Sequence, residues 1–360
     1  MSADSNTHPN SDGRVNLMGM TPTQIATFLA NLGEPAYRAQ QLSNWIYRHG
    51  VYEFDGMTNL KADLRARLAD DSVVAIDRPQ SHQVSPDGTQ KLLFRNGDDL
   101  WETVLMRDAE RRTVCVSTQS GCGLGCRFCA TATLGFKRNL TSGEIVGQIL
   151  RAGELLPQGE RVTNLVFMGM GEPLQNYDAV KNVLEIVGAD WGLDISHRRT
   201  TVSTVGLVPA IYRWIEDKIK AKLAISLIAA DDELRSELMP INRAYPLAEL
   251  KKAAIALTEA TGRRITFEYI LMANVNDTIA HAKKLVHFID RIPCKINLIR
   301  FHPHPGSPYR RPTEDRVNDF RSYLYPRCPA VTVRKSFGLD IDAACGQLIV
   351  KTERKRSRAG

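Results

Sequence analysis

No run of 18 consecutive apolar residues occurs in this chain, and its first residues lack the charged-then-apolar pattern of a signal segment. Both absences argue against a membrane-spanning helix and against secretion. A disulfide framework is missing as well. The cysteines, Cys115, Cys122, Cys126, Cys129, Cys294, Cys328 and Cys345, are seven in number, odd, and spread over a 360-residue chain. Thiol chemistry in a reducing cytoplasm is therefore the expectation. There is no second CxxC-like pair to complete a structural zinc site. Residues 1–16, MSADSNTHPNSDGRVN, show no periodicity and are expected to form a disordered tail.

What is present suits one large domain with a smaller appendage: 43% of residues are hydrophobic. A formal charge of +7 permits an anionic partner such as nucleic acid. The stretch 17–95 reads as a small helical accessory domain leading into a β-extension. "TPTQIATFLANLG" offers Thr21 and Thr23 as caps and stops at Gly33, and "AYRAQQLSNWIYRHG" stops at Gly50. "QKLLFR" and "LWETVLM" flank "NGDD", a hairpin signal.

From 96 to 348, strand-like runs alternate with amphipathic helical stretches. "VCVSTQS", "NLVFMGMGE", "RRTTVSTVG", "AKLAISLI", "RITFEYILM" and "KINLIRF" give six β/α units. The fold class is α/β, a partial (β/α)6 barrel with a parallel sheet. Thr141 and Glu144 have capping-box spacing at the helix after the first unit. Residues 349–360 form a basic tail, read as a solvated segment or a weak RNA-contacting arm.

The chemistry is concentrated in "SGCGLGCRFCATATLGFKRNL". Cys122, Cys126 and Cys129 have a C-x3-C-x2-C spacing that can wrap one cubic cluster, and soft thiolates suit iron–sulfur or zinc. Cys115 lies in a strand run and is a poor fourth ligand. A three-cysteine [4Fe–4S] cluster would leave one iron open to a small molecule. Zinc and fortuitous core cysteines are the lesser readings. "FMGMGEPL" places Gly169, Gly171 and Glu172 at the end of the second strand. Alone it is an ordinary strand-end turn, but it follows the cysteine loop in register.

With "WETVLM", "VCVSTQSGC", "GFKRNLTSGEI", "KINLIR" and "DIDAACGQL" in order, the chain over about residues 20–350 resembles the RlmN/Cfr family of radical S-adenosylmethionine (SAM) RNA adenine methyltransferases. The resemblance implies one [4Fe–4S] cluster per chain on Cys122, Cys126 and Cys129. It implies two SAM molecules consumed per methylation. It implies SAM contacts from Gly171, Glu172, Ser203, Ser226, Leu227 and His302. It implies Cys345 as the methyl carrier, Cys115 as the thiol that resolves the RNA adduct, and Glu102 as proton acceptor. By residues alone, Cys115 and Cys345 would be small core residues and Glu102 a surface charge. Two positions depart from the family pattern: Ile228 stands where a histidine is usual, and His302-Pro303 where Asn-Pro is usual.

The implied substrate is an adenine of 23S rRNA, with tRNA as a second. C2 methylation (RlmN type) is favoured over C8 (Cfr type). A flavodoxin or ferredoxin would supply electrons, and a monomer without membrane contact is expected. Basic pairs Lys137-Arg138, Arg198-Arg199 and Arg310-Arg311 are candidate RNA contacts. The rival reading from another class is an iron–sulfur RNA-binding protein without methyl transfer. A radical SAM enzyme acting on a peptide or small molecule is the enzymatic rival.

Overall fold

The computed structural model describes residues 13–328 and 330–348. The basic tail of 349–360 and residues 1–12 of the expected disordered tail lie outside them. Val15–Asn16, which the sequence assigned to the tail, form β1 and pair in parallel with β2, Ser72–Val73.

Between these strands stand α1 (Pro22–Asn31), α2 (Tyr37–Ser43) and α3 (Ala62–Asp71). Thr21 caps α1 in a box with Gln24, and Pro22 opens the first turn where its missing N–H costs nothing. Ile25 and Leu29, four apart, are the buried stripe of α1. This N-terminal segment seats tightly against the barrel. A Cβ at Gly19 would stand 2.1 Å from the backbone nitrogen of Gly143. Tyr47 accepts from the Gly19 N–H and donates to the Met20 carbonyl, and its ring lies 5.9 Å from that of Trp191.

Next comes an antiparallel meander of β3 (Ser81–Val84), β4 (Gln90–Asn96), β5 (Asp99–Asp108) and β6 (Arg111–Cys115). The β4–β5 turn has the sole left-handed central residue at Gly97, as a type II′ turn requires. Gln119–Gly121 (β7) and Phe136–Asn139 (β8) then form a separate hairpin. The cysteine loop is therefore the tip of this hairpin, rather than the direct continuation of the first parallel strand.

The remaining chain alternates α4 (Ser142–Gly153), β9 (Asn164–Phe167), α5 (Tyr177–Gly188), β10 (Thr200–Thr204), α6 (Val208–Glu216), β11 (Lys222–Ser226), α7 (Asp232–Leu238), α8 (Leu247–Thr261), β12 (Ile265–Leu271), α9 (Ile279–Ile289), β13 (Cys294–Arg300), α10 (Glu314–Leu324) and β14 (Val331–Val333). One ten-stranded sheet runs β14-β13-β12-β11-β10-β9-β6-β5-β4-β3, parallel from β6 to β14. β6 and β9 to β13 are the six strands of the expected partial barrel. Strands such as β12 have few exposed positions, as parallel strands covered on both faces must. β3 and β14 end the sheet unpaired with each other, so the barrel stays open. No helix among the described residues is long and apolar enough to cross a membrane.

Candidate active site

The cysteine loop is pinched at its neck. Cys122 N–H donates to the Gly135 carbonyl at 2.9 Å, and a Cβ at Gly121 would fall 1.8 Å from that oxygen. Leu124, Cys126 and Phe128 press into an apolar cluster with Ile228, Met239, Met272 and Phe301. Burial and the other two thiols together push Cys126 up; burial takes Cys122 up to about 11. Burial and neighbouring like charge disfavour the thiolates of Cys122 and Cys126, which a cationic centre would stabilise. Among the described residues no three His, Cys, Asp or Glu side chains close on a single ion. Soft thiols brought together on one loop are the donor type an iron–sulfur cluster takes, so Cys122, Cys126 and Cys129 fit one.

An open cleft of about 720 Å³, counting its mouth, lies beside the loop. Cys129, Gly171, Glu172, Ser203, Ser226 and Cys345 are on its wall. Gly171 has φ +95°, and a Cβ there would meet Gln119 at 2.5 Å, so the strand end can turn here only as glycine. Glu172 is buried. Its carboxylate accepts from the N–H groups of Leu174 at 3.0 Å and Val205 at 2.9 Å. Ser203 and Ser226 hydroxyls are 3.4 Å apart. The cleft is thus polar on the Glu172 side and open toward the cysteine loop.

Burial raises Glu172 to about 7 against its hydrogen bonds. A carboxyl raised in the folded state contributes stability that is present below its unfolded pKa near 4.5 and lost as pH rises through about 7. Glu172→Gln should therefore narrow the stability difference between pH 5 and pH 7.5 by up to about 3 kcal/mol. Denaturant titrations of both proteins at the two pH values test this; parallel pH profiles would refute it.

On the other side of Cys345 is a second cavity, lined by Cys115, Met168, His302, Arg334 and Ser336. Cys345 belongs to both walls. Its segment is tied to the cysteine loop, because Ala130 N–H donates to the Gly346 carbonyl at 2.7 Å. Burial, with Cys345 next, pushes the Cys115 thiol up to about 12. Cys345 is raised by burial and pulled back by Arg334. Arg334 also stands 3.7 Å from Glu268.

Glu102 is not a surface charge: it is 1% exposed, and Lys91 Nζ is 3.2 Å from its Oε1. In β5, Val104 opposes Cys115 of β6, and Val104 lines the thiol cavity. Glu102, two residues back, shares that face.

Two expected SAM contacts sit elsewhere. Leu227 is buried in the main core, offering its carbonyl to Arg235 at 3.0 Å. His302 is on the thiol side, 2.6 Å from the Ser336 hydroxyl. Burial, then Arg311 and Arg300, lower it to about 4, so it is neutral at physiological pH. Ile228 takes a left-handed φ of +63°, a costly conformation for a β-branched residue. Its carbonyl accepts from Asn276 at 2.8 Å while its side chain packs under the cysteine loop.

Sequence reasoning missed Lys91, Arg235, Glu268 and Arg334. Arg235 is 1% exposed and bonds the carbonyls of Val205 and Leu227 and the side chain of Asn242, fixing two strand ends. In "DDELRSEL" it looks like any exposed helical arginine. Lys91 had a signal: the turn fixes Leu93 opposite Glu102, which puts Lys91 on the same face.

Residues 15–74 match the family model "Ribosomal RNA large subunit methyltransferase N-terminal domain", and residues 116–288 match "Radical SAM superfamily". The chain is 46% identical to the probable dual-specificity RNA methyltransferase RlmN of Symbiobacterium thermophilum, over 95% of this chain and 93% of that one. It is 43% identical to the dual-specificity RNA methyltransferase RlmN of Geobacter sulfurreducens, over 97% and 96%. The chain belongs to the RlmN family of radical SAM methyltransferases. A crystal structure of a radical SAM methyltransferase from Sphaerobacter thermophilus superposes with a TM-score of 0.86 at 44% identity, covering 92% of this chain and 98% of that one. Membership makes the protein a SAM-dependent RNA methyltransferase, and radical SAM enzymes use a [4Fe–4S] cluster and SAM. An iron–sulfur protein without methyl transfer is thereby set aside.

Proposed function

We propose that this protein methylates C2 of an adenine in 23S rRNA, and the adenine 3′ of the tRNA anticodon, through an S-methyl group carried on Cys345. The supporting observation is the position of Cys345 on the wall between the Glu172–Ser203–Ser226 cleft and the Cys115 cavity. A methyl group picked up on one side can be delivered on the other. Adenine C2 is a poor nucleophile and its C–H bond is not acidic, so direct attack on SAM fails.

In the first stage the Cys345 thiolate displaces the methyl of one SAM, releasing S-adenosylhomocysteine. Arg334, beside Cys345 in the cavity, favours that thiolate. Glu172 and the two serines orient the methionyl group in the cleft. Cys122, Cys126 and Cys129 would hold the [4Fe–4S] cluster, which would supply the electron for cleaving a second SAM, and the Cys345 methyl would give up a hydrogen atom to the 5′-deoxyadenosyl radical so released. The Cys345 methylene then bonds to C2. Glu102 accepts the C2 proton, and the odd electron of the adduct would return to the oxidised cluster that Cys122, Cys126 and Cys129 would hold. Cys115 attacks the Cys345 sulfur, the S–C bond breaks, and the methylene carbon takes a proton to leave as methyl. The Cys115–Cys345 disulfide left behind needs two electrons before the next turnover. A flavodoxin or ferredoxin is the proposed donor in the cytoplasm, serving a monomeric enzyme.

Anaerobically reconstituted protein, SAM, a reductant and an rRNA fragment should yield 2-methyladenosine in mass spectra of the digested RNA. Finding 8-methyladenosine instead would overturn the C2 assignment. Unmodified RNA with an intact cluster would overturn methyl transfer to this substrate.

A further inference from the structure

Parallel strands begin at one end of the barrel, and here those beginnings are cationic. Arg111 opens β6, Arg198 and Arg199 precede β10, Lys220 and Lys222 flank the start of β11, Arg263 and Arg264 precede β12, and Lys295 is second in β13. All are exposed except Lys295, which is half-buried. Four acids near this end are engaged by other cations: Glu160 by Arg112, Asp194 by Arg161, Asp217 by Lys181 and Asp290 by Arg291. Among the described residues none of the eight strand-start cations forms an ion pair.

The period of two places three of them on the inner face. Arg111, Lys222 and Lys295 each lie four residues before a residue lining the catalytic cavities, namely Cys115, Ser226 and Ile299. The cations and the catalytic cleft are thus opposite ends of one concave surface. Like charges crowd there: after burial, Lys295, Arg111 and Arg263 depress the Lys222 ammonium, and Lys220 and Arg263 act the same way on His197.

A structural explanation is available and falls short. Helix C-termini point to this end, and a cation near each would gain a few tenths of a kcal/mol to about 1 kcal/mol. The guanidinium of Arg263 bonds the Lys220 carbonyl in a loop instead of the end of α8. Mutual repulsion among cations from four strands is a cost that one cation per helix end would not incur. Such a cost is recovered when an anion binds.

The spread of charge selects the anion. From β6 to β13 the cations span five strand spacings, about 24 Å along the sheet, too wide for one small anion. An acidic electron-donor protein is also a poor fit, because the cysteine loop lies about 20 Å away at the other end of the strands. A run of phosphates fits. We propose that the floor of the barrel, built by Arg111, Lys220, Lys222, Arg263 and Lys295, is a second RNA-contact surface that grips phosphate backbone of the substrate RNA remote from the catalytic mouth. The inference rests on RNA being the substrate and is independent of which adenine carbon is methylated.

The test is the quadruple variant Lys220→Gln, Lys222→Gln, Arg263→Gln, Lys295→Gln in the full-length, cluster-loaded protein. Binding of the rRNA fragment and of a tRNA transcript is followed by fluorescence anisotropy from 50 to 300 mM salt. Every phosphate that the variant no longer neutralises lowers the log–log salt slope by about 1. The slope should fall by about 2 or more, with affinity about tenfold or more weaker near 0.15 M salt. SAM-dependent methylation of Cys345, read by peptide mass spectrometry, should match wild type and exclude misfolding. An unchanged slope on both RNAs overturns the proposal. Unchanged RNA binding with slower reduction by flavodoxin overturns it in favour of a protein partner. The proposed function is read separately by 2-methyladenosine, so either idea can fail alone.

Discussion

Replacing Cys115 by Ala should convert the enzyme into one that binds its RNA covalently and keeps it. Cys115 and Cys345 line one cavity. Nothing else there offers a thiol, since the other described cysteines on the cleft side belong to the loop sequence 122–129. Without Cys115 the Cys345 sulfur has no partner to receive it when the S–C bond breaks. The adduct between Cys345 and adenine C2 should accumulate to about one per enzyme. Multiple turnover should fall by a factor on the order of 10³, which corresponds to about 4 kcal/mol in the barrier of the resolving step. A denaturing gel of labelled RNA shows the adduct as a band that survives reducing agent, and Cys345→Ala in the same chain should abolish it. Normal turnover of Cys115→Ala would remove Cys115 from the mechanism. Burial holds Cys115 protonated at about 12, so the resolving step also requires deprotonation at the moment of attack. Resolution in the wild type should consequently speed up with pH.

The parts of this arrangement that sequence made visible are those fixed locally. The cap at Thr21 (Thr23, the other candidate, lies inside α1), the capping box of Thr141, the hairpin at Gly97 and the six alternating units each depend on neighbours within a few residues. The cysteine loop and the glycines of "FMGMGE" are local as well, because a tight turn leaves only one residue type. What stayed hidden depends on residues far apart in the chain. Glu102 became a buried charge only once β4 and β5 paired. Arg138, a candidate RNA contact, is committed to Asp99 and to Glu144 at 2.7 Å, and Arg311 pairs with Glu314 at 3.3 Å. Arg198 and Arg199 remain exposed, at the far end of the barrel from the cleft. His302, expected among the SAM contacts from its motif, hydrogen-bonds Ser336 and lines the cavity that holds Cys115 and Cys345. Ile228 replaces a polar residue, and its consequence is packing: it closes the apolar bed beneath the loop.

Lys91→Met should be among the most damaging single changes outside the cysteines. Lys91 and Glu102 lie diagonally across β4 and β5, with side chains 7% and 1% exposed. At 3.2 Å the pair is a contact ion pair with little water to replace a missing partner. Methionine preserves the length and most of the packing of the lysine stem. It leaves the Glu102 charge in place without that cation, which costs on the order of 3–5 kcal/mol when both groups are buried. The double variant Lys91→Met, Glu102→Gln removes the charge as well and should recover most of the loss. Denaturant unfolding of the four proteins of this cycle therefore reads a strong coupling. Additive losses would mean that the two residues stabilise the sheet independently. The same cycle separates structure from chemistry. Glu102→Gln should let Cys345 acquire its methyl and bond to RNA while the C2 proton stays on. Lys91→Met should show that stall too, because Lys91 at 3.2 Å holds the Glu102 carboxylate in position. If Lys91→Met were destabilised yet resolved its adduct at the wild-type rate, the lysine would be a support of the hairpin alone.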